Sequence, residues 1–183
     1  MIMTKVSTGA EFLNNFLKGG YDQDIITTIY GPSGSGKTNF CLIAAVNVVK
    51  QGKKVIFIDT EGGFSSERVK QMLYVRNGND GKSGKKDYEE VLKNIIILRP
   101  TNFKEQKDAF GKLGVYLKKQ IDLIIVDGMT MLYRLDFADA RETEGDIAKI
   151  QKVNAELTRQ MRLLAEIARK QNIPVLITNQ VYS

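Results

Sequence analysis

The sequence predicts an α/β fold in which a mostly parallel β-sheet is flanked by helices. Three observations carry this. Five short β-branched or continuous apolar runs recur along the chain, at 24–30, 54–60, 94–100, 122–128 and 173–180. Stretches with three- and four-residue apolar spacing separate them, and strands alternating with helices make βαβ units. Several of the runs, such as "KVIFID" and "DLIIVD", do not alternate with polar residues, as expected of strands covered on both faces.

The elements follow in order. "GAEFLNNFLKGG" reads as a short helix carrying Phe12, Leu13, Phe16 and Leu17, ended by Gly19 and Gly20. The strand at 24–30 runs into a glycine-rich loop, and 37–51 continues as a helix closed by Gly52. After the strand at 54–60, residues 64–76 read as a helix. Residues 77–87, "NGNDGKSGKKD", lack periodicity and are expected to form an exposed insertion loop. Pro100 stops the next strand, and a single helix is expected over 103–119. Residues 135–146 read as acidic and irregular. From Asp146 a long helix carries Ile147, Ile150, Val153, Leu157, Met161, Leu164 and Ala168 on one face. The 183 residues suit one domain over 1–183, with no internal repeat.

Composition removes whole classes of chemistry. The chain has no histidine and one cysteine, Cys41. Histidine metal ligands, Ser-His triads and internal disulfides are therefore excluded, leaving carboxylates, lysines, backbone amides or a bound metal. No apolar run reaches the ~18 residues of a membrane span, and no signal-peptide core opens the chain, so a cytoplasmic protein without a membrane partner is expected. The formal net charge of +6 is compatible with nucleic acid, anionic membrane or nucleotide partners and identifies none of them.

The most specific signal is "YGPSGSGKTNF". Gly31, Pro32, Ser33, Gly34, Ser35, Gly36, Lys37 and Thr38 form G-x-x-x-x-G-K-[ST] between a predicted strand and a predicted helix, the context of a phosphate-binding P-loop; Asn39 follows. The glycines permit a tight loop whose N–H groups converge on phosphate oxygens, and the helix N-terminus adds its positive end. Lys37 suits the β- and γ-phosphates of ATP, and the Thr38 hydroxyl suits Mg²⁺. Asp127, after four apolar residues, is placed at the carboxyl edge of its strand, where parallel sheets bind ligands, and is the second candidate for Mg²⁺; a simple turn former is the alternative. Asp59 and Glu61, two apart at another strand end, can point to the same side. Glu61 is the candidate base for water, with a purely solubilising role as the alternative.

Taken in order, "STGAEFLNNFLKGG", "IYGPSGSGKT", "IDTEGGFSSERV", "LIIVDGMTMLYR" and "ITNQV" resemble the core of RecA-type recombinases, most closely the archaeal RadA and RadB families. The start at the ATPase core, with neither an N-terminal DNA-binding domain nor a Phe-x-x-Ala tether, and the stretches "FKEQ" and "IARKQNIPV" look RadB-like. The resemblance implies a RecA-type P-loop NTPase core, with C-terminal strands missing after Ser183. It implies that Glu61 activates the attacking water, that Arg68 stacks on adenine and that Gln180 senses the γ-phosphate. Without it, Arg68 reads as a helix-surface residue and Gln180 as a polar residue after a strand. Tyr133 and Arg134 match the start of the first DNA-binding loop, expected at 135–146, where the acidic residues suit phosphates poorly. The second loop is expected just after Gln180. The implied function is an ATP-binding accessory protein of recombination and DNA repair: a weak ATPase, not strongly stimulated by DNA. It touches DNA and regulates a RadA-like recombinase and a junction-processing nuclease, with a homo-oligomer completing the ATP site. A KaiC-like signalling ATPase and an active strand-exchange recombinase are the alternatives.

Overall fold

A computed structural model describes residues 4–77, 83–142 and 147–181. Five strands form one sheet: β3 (Ile26–Gly31), β4 (Lys54–Asp59), β5 (Ile95–Leu98), β6 (Ile121–Asp127) and β7 (Val175–Gln180), in the spatial order β3-β7-β6-β4-β5 with every pairing parallel. A two-stranded antiparallel pair, β1 (Lys5–Val6) with β2 (Tyr21–Asp22), brackets the short helix α1 (Glu11–Phe16). Strands this short carry too little pattern to be read from sequence.

The sheet is covered on both faces because its strands are apolar at successive positions. Val55, Phe57, Leu123, Ile125 and Leu176 face one cluster with α2 (Lys37–Val49) and α3 (Ser66–Asn77). Their neighbours Ile56, Ile58, Ile124, Val126, Val175 and Ile177 face the opposite cluster. There they pack on α8 (Ile147–Gln171) through Leu164, Ile167 and Ala168, and on α5 (Phe103–Gly111) and α6 (Leu113–Leu117) through Phe110 and Leu113. The register sets the site: Gly31 lies beside Gln180, and Asp59 beside Asp127. The carboxyl ends of four adjacent strands therefore meet at one edge of the sheet.

Three expectations need correction. Residues 83–87, expected in the insertion loop, belong to α4 (Ser83–Lys93); the other loop positions 78–82 lie outside the described residues. The helix is anchored from its C-terminal half, where Val91 is buried and Tyr88 and Leu92 pack on the core, a pattern lying beyond the polar stretch. Residues 135–142, expected to be irregular and to begin a DNA-binding loop, are helical in α7 (Met131–Glu142), while 143–146 lie outside the described residues. Leu132 and Ala140, eight apart, are buried on one face of α7, and the acidic Asp139 and Glu142 occupy its exposed side. The expected helix over 103–119 is two helices that break at Lys112. In addition, the buried face of α8 begins at Val153: Ile147 is 69% exposed. Among the described residues no helix is long and apolar enough to cross a membrane.

Phe57 is fully buried in a central strand, and its ring meets that of Phe64 edge-on at 5.1 Å. Phe57→Ala is expected to destabilise the fold by about 3–5 kcal/mol, from lost transfer energy and the cavity left behind. The shift of the urea midpoint at unchanged slope checks this.

Candidate nucleotide site

The loop between β3 and α2 has the backbone its glycines predict. Gly34 (φ +74°) and Gly36 (φ +91°) both occupy the left-handed region, which a side chain would strain. No side chain caps α2, whose N-cap is Gly36, so its first-turn N–H groups remain available to an anion. Lys37 is buried, and its Nζ donates to the Gly31 and Pro32 carbonyl oxygens at 3.0 and 2.8 Å. The ammonium is thus held inside the curl of its own loop. Ser35 packs against Gly31, where an added Cβ would lie 2.8 Å from the Ser35 Oγ.

Asp127 ends β6 with no exposed surface. Its Oδ2 accepts from the Thr38 hydroxyl at 2.7 Å and its Oδ1 from the Thr178 hydroxyl at 2.7 Å. The Thr178 Oγ1 in turn accepts from the Gly128 N–H at 2.8 Å. Gly63 covers the Thr38–Asp127 pair so closely that a Cβ there would stand 3.0 Å from the Thr38 Cγ2 and 3.1 Å from the Asp127 Oδ2. A hydroxyl and one carboxylate, under a backbone with no side chain, is a hard-oxygen donor set suited to Mg²⁺, which keeps several waters and shares its shell with phosphate. Among the described residues there is no cluster of three or more acidic, cysteine or histidine groups that would make an all-protein cage.

Asp59 and Glu61 do not act as a pair on one side. Asp59 is buried, and its two oxygens accept from the Gly63 and Phe64 N–H groups at 3.0 Å each, with the Arg99 Nε 3.8 Å away. The chain bends back at once after β4, because these amides turn onto the carboxylate, so Asp59 shapes the turn while Glu61 lines the cavity. Thr60 fixes the segment: its hydroxyl donates to the carbonyls of Asp127 and Gly128 at 2.9 and 2.7 Å. Gly128 (φ +85°) is required beneath it, since a Cβ would come within 2.4 Å of the Thr60 Oγ1 and 2.7 Å of the Glu61 Cγ. Burial raises the pKa of the Glu61 carboxyl, followed by the charges of Asp127 and Asp59, against the opposing pull of Lys37.

One cavity of about 370 Å³ collects Ser33, Gly34, Lys37, Thr38, Glu61 and Gln180, and Asn39 and Arg68 also line it. The Arg68 guanidinium donates to the Asn39 side chain. Gln180, at the end of β7, also borders a small space with Glu61, Met131 and Arg134, the last two at the start of α7. Tyr133 faces elsewhere: its hydroxyl donates to Asn154 at 2.8 Å and its ring packs on Phe103. The sequence reading missed Thr60, Gly63, Gly128 and Thr178. The glycines of "TEGG" and "VDG" were available as signals; Thr178 carries none, because its role exists only through strand pairing.

A protein-family model described as Rad51 matches residues 1–183. A DNA repair and recombination protein RadB of Methanococcus maripaludis is 44% identical over 169 residues, 92% of this chain and 70% of the relative. The protein of that name from Methanobrevibacter smithii is 39% identical over 174 residues, 93% of this chain and 65% of its own length. The one from Thermococcus kodakarensis is 39% identical over 177 residues, 97% of this chain and 70% of its own.

The raised pKa of Glu61 gives a stability test with a defined sign. The folded chain binds the Glu61 proton more tightly than the unfolded chain, so this group lowers stability as pH rises above the ordinary carboxylate range. Glu61→Gln is expected to flatten that decline, and unfolding midpoints measured from acid to neutral pH check it; parallel curves for the two proteins would contradict it.

Proposed function

The chain belongs to the Rad51 family, among the archaeal RadB proteins, whose wider RecA/Rad51 kin are P-loop ATPases, and on that premise we propose that it is an ATP-binding accessory protein of recombination and DNA repair. It binds ATP with Mg²⁺, hydrolyses ATP slowly and contacts DNA. It regulates a RadA-like recombinase and branched-DNA processing by a nuclease, without strong strand exchange of its own. The observation that carries the reading is the single cavity on which the P-loop lysine, Glu61 and Gln180 converge beside the Thr38–Asp127 pair.

In this reading the loop amides and the open N-terminus of α2 receive the phosphates, and Lys37 exchanges its loop carbonyls for phosphate oxygens. Thr38 and Asp127 would hold Mg²⁺, whose charge, when bound, neutralises the phosphate oxygens. Glu61 orients the attacking water and accepts its proton, helped by its raised pKa. Arg68 leaves Asn39 to stack on the base. Gln180 passes the presence of the last phosphate toward Arg134 and α7, across the small space they share. The exposed carboxylates of α7 favour regulation over tight DNA grip, since like charge opposes a phosphate backbone.

Lys37→Ala is expected to weaken ATP binding by roughly tenfold to a hundredfold, the loss of charged hydrogen bonds to phosphate; unchanged affinity in a titration with a fluorescent ATP analogue would sink the assignment. Glu61→Gln should keep that affinity and lower turnover by about a hundredfold or more. Phosphate release with and without single-stranded DNA tests the accessory role. Slow turnover that barely responds to DNA is expected. Strong stimulation with filament formation would make the chain an active recombinase, and transfer of phosphate to the protein itself a signalling ATPase.

A further inference from the structure

A second cavity, of about 580 Å³, opens between α5, α7 and α8 and shares no lining residue with the nucleotide cavity. Its floor is apolar, made by the buried Phe103 and Val153. Lys104 and Lys107 stand one turn apart on α5, facing Lys149, Lys152 and Arg159 on α8. Against these five cations the lining holds two carboxylates, Asp136 and Glu156.

Glu156 is already committed. It accepts from the Arg159 Nε and Nη2 at 3.0 and 2.9 Å and lies 4.0 Å from the Lys107 Nζ. It also accepts from the Gln160 Nε2 at 3.0 Å, and the fully buried Gln160 is held in turn by Gln106 at 2.8 Å. Burial works against its charge, yet the bonds from Arg159 and Gln160 outweigh it and keep its pKa low. Burial and then the charge of Asp139 raise the pKa of Asp136, on the α7 wall, against the weaker opposing pull of Lys149. Among the described residues no carboxylate pairs with Lys104 or Lys152, one on each side of the apolar floor.

We propose that this groove docks an acidic segment of another polypeptide, with a large apolar side chain seated over Phe103 and Val153 and flanking carboxylates paired with Lys104 and Lys152. Charge complementarity sets the sign of the partner, and the apolar floor sets its class. A nucleic-acid backbone carries a charge at every step and would meet Asp136 and Glu156 on the walls, whereas a peptide can space its carboxylates to avoid them. An apolar anchor between charged rims is the usual composition of a protein–protein contact. The proposal does not depend on the nucleotide reading, because no lining residue is shared.

The test uses fluorescence anisotropy with a short labelled peptide of glutamates around a central Phe-Leu pair. The chain should bind it, and binding should weaken as salt screens the charges. Lys104→Glu with Lys152→Glu should weaken it by about tenfold or more, since each attraction becomes a repulsion, while Lys118→Glu, outside the groove, should leave it unchanged. Replacing Phe-Leu in the peptide by serines should also weaken binding. Far-UV circular dichroism checks folding, and Lys104→Ala with Lys152→Ala provides a milder pair. Absent binding, binding indifferent to both pairs, or equal binding of the serine peptide would overturn the proposal. So would an oligo-dT strand that needs Lys104 and Lys152 where the peptide does not bind. Self-association abolished by the double reversal, without peptide binding, would assign the groove to a second copy of this chain.

Discussion

The site depends on the Asp127 carboxylate. A charge buried without exposed surface is costly unless hydrogen bonds compensate it, and here one oxygen takes the hydroxyl of Thr38 and the other that of Thr178. Those two bonds join three elements: the start of α2, the end of β6 and the end of β7. The loop that would receive phosphate, the residue that would hold metal and the strand that ends in Gln180 are thereby fixed to one another. The backbone continues the same arrangement, with the Met129 N–H on the Thr178 carbonyl at 3.0 Å and the Thr60 N–H on the Asp127 carbonyl at 3.1 Å.

From this centre a polar path leads outward through the interior. The fully buried Gln106 donates to the Met129 carbonyl at 3.2 Å and to Gln160 at 2.8 Å, and Gln160 donates to Glu156 on the rim of the second cavity. The Gln106 Nε2 makes both of these donations while its buried Oε1 has no partner, and the two amides tie α5 and α8 to the end of β6. The first half of α7 borders two spaces, with Met131 and Arg134 on the small one beside Gln180 and Asp136 on the groove.

Much of this was legible in the chain. The five strands appear where the apolar runs put them, because a strand covered on both faces needs consecutive apolar residues and 54–59 and 121–127 supply them. The backbone of the glycine-rich loop was legible for a similar reason: glycines at fixed spacing ahead of a helix permit a tight turn, and Gly34 and Gly36 adopt the left-handed backbone that the pattern anticipates. The misreadings are equally specific. Helix α4 begins in a polar, glycine-containing stretch and is held by Val91 and Leu92 further along; α7 hides its packed face among acids, with Leu132 and Ala140 buried and Tyr133 and Phe137 half-buried. Local composition cannot reveal a helix whose stability comes from distant packing.

By itself the sequence determined that a glycine-rich loop joins a strand to a helix, that histidine chemistry is absent and that the sheet is parallel and buried, since these follow from residue type and local period. Only the tertiary structure decided what each side chain faces. Asp59 and Glu61 are two apart in a strand-end pattern, yet Asp59 turns inward to hold the Gly63 and Phe64 amides while Glu61 reaches the cavity. Thr178 and Gly128 matter only because parallel pairing sets β7 beside β6 and the Glu61 segment across Gly128. The physical reason is range: turn and period rules act over a few residues, whereas strand register brings together residues more than a hundred positions apart, such as Gly31 and Gln180.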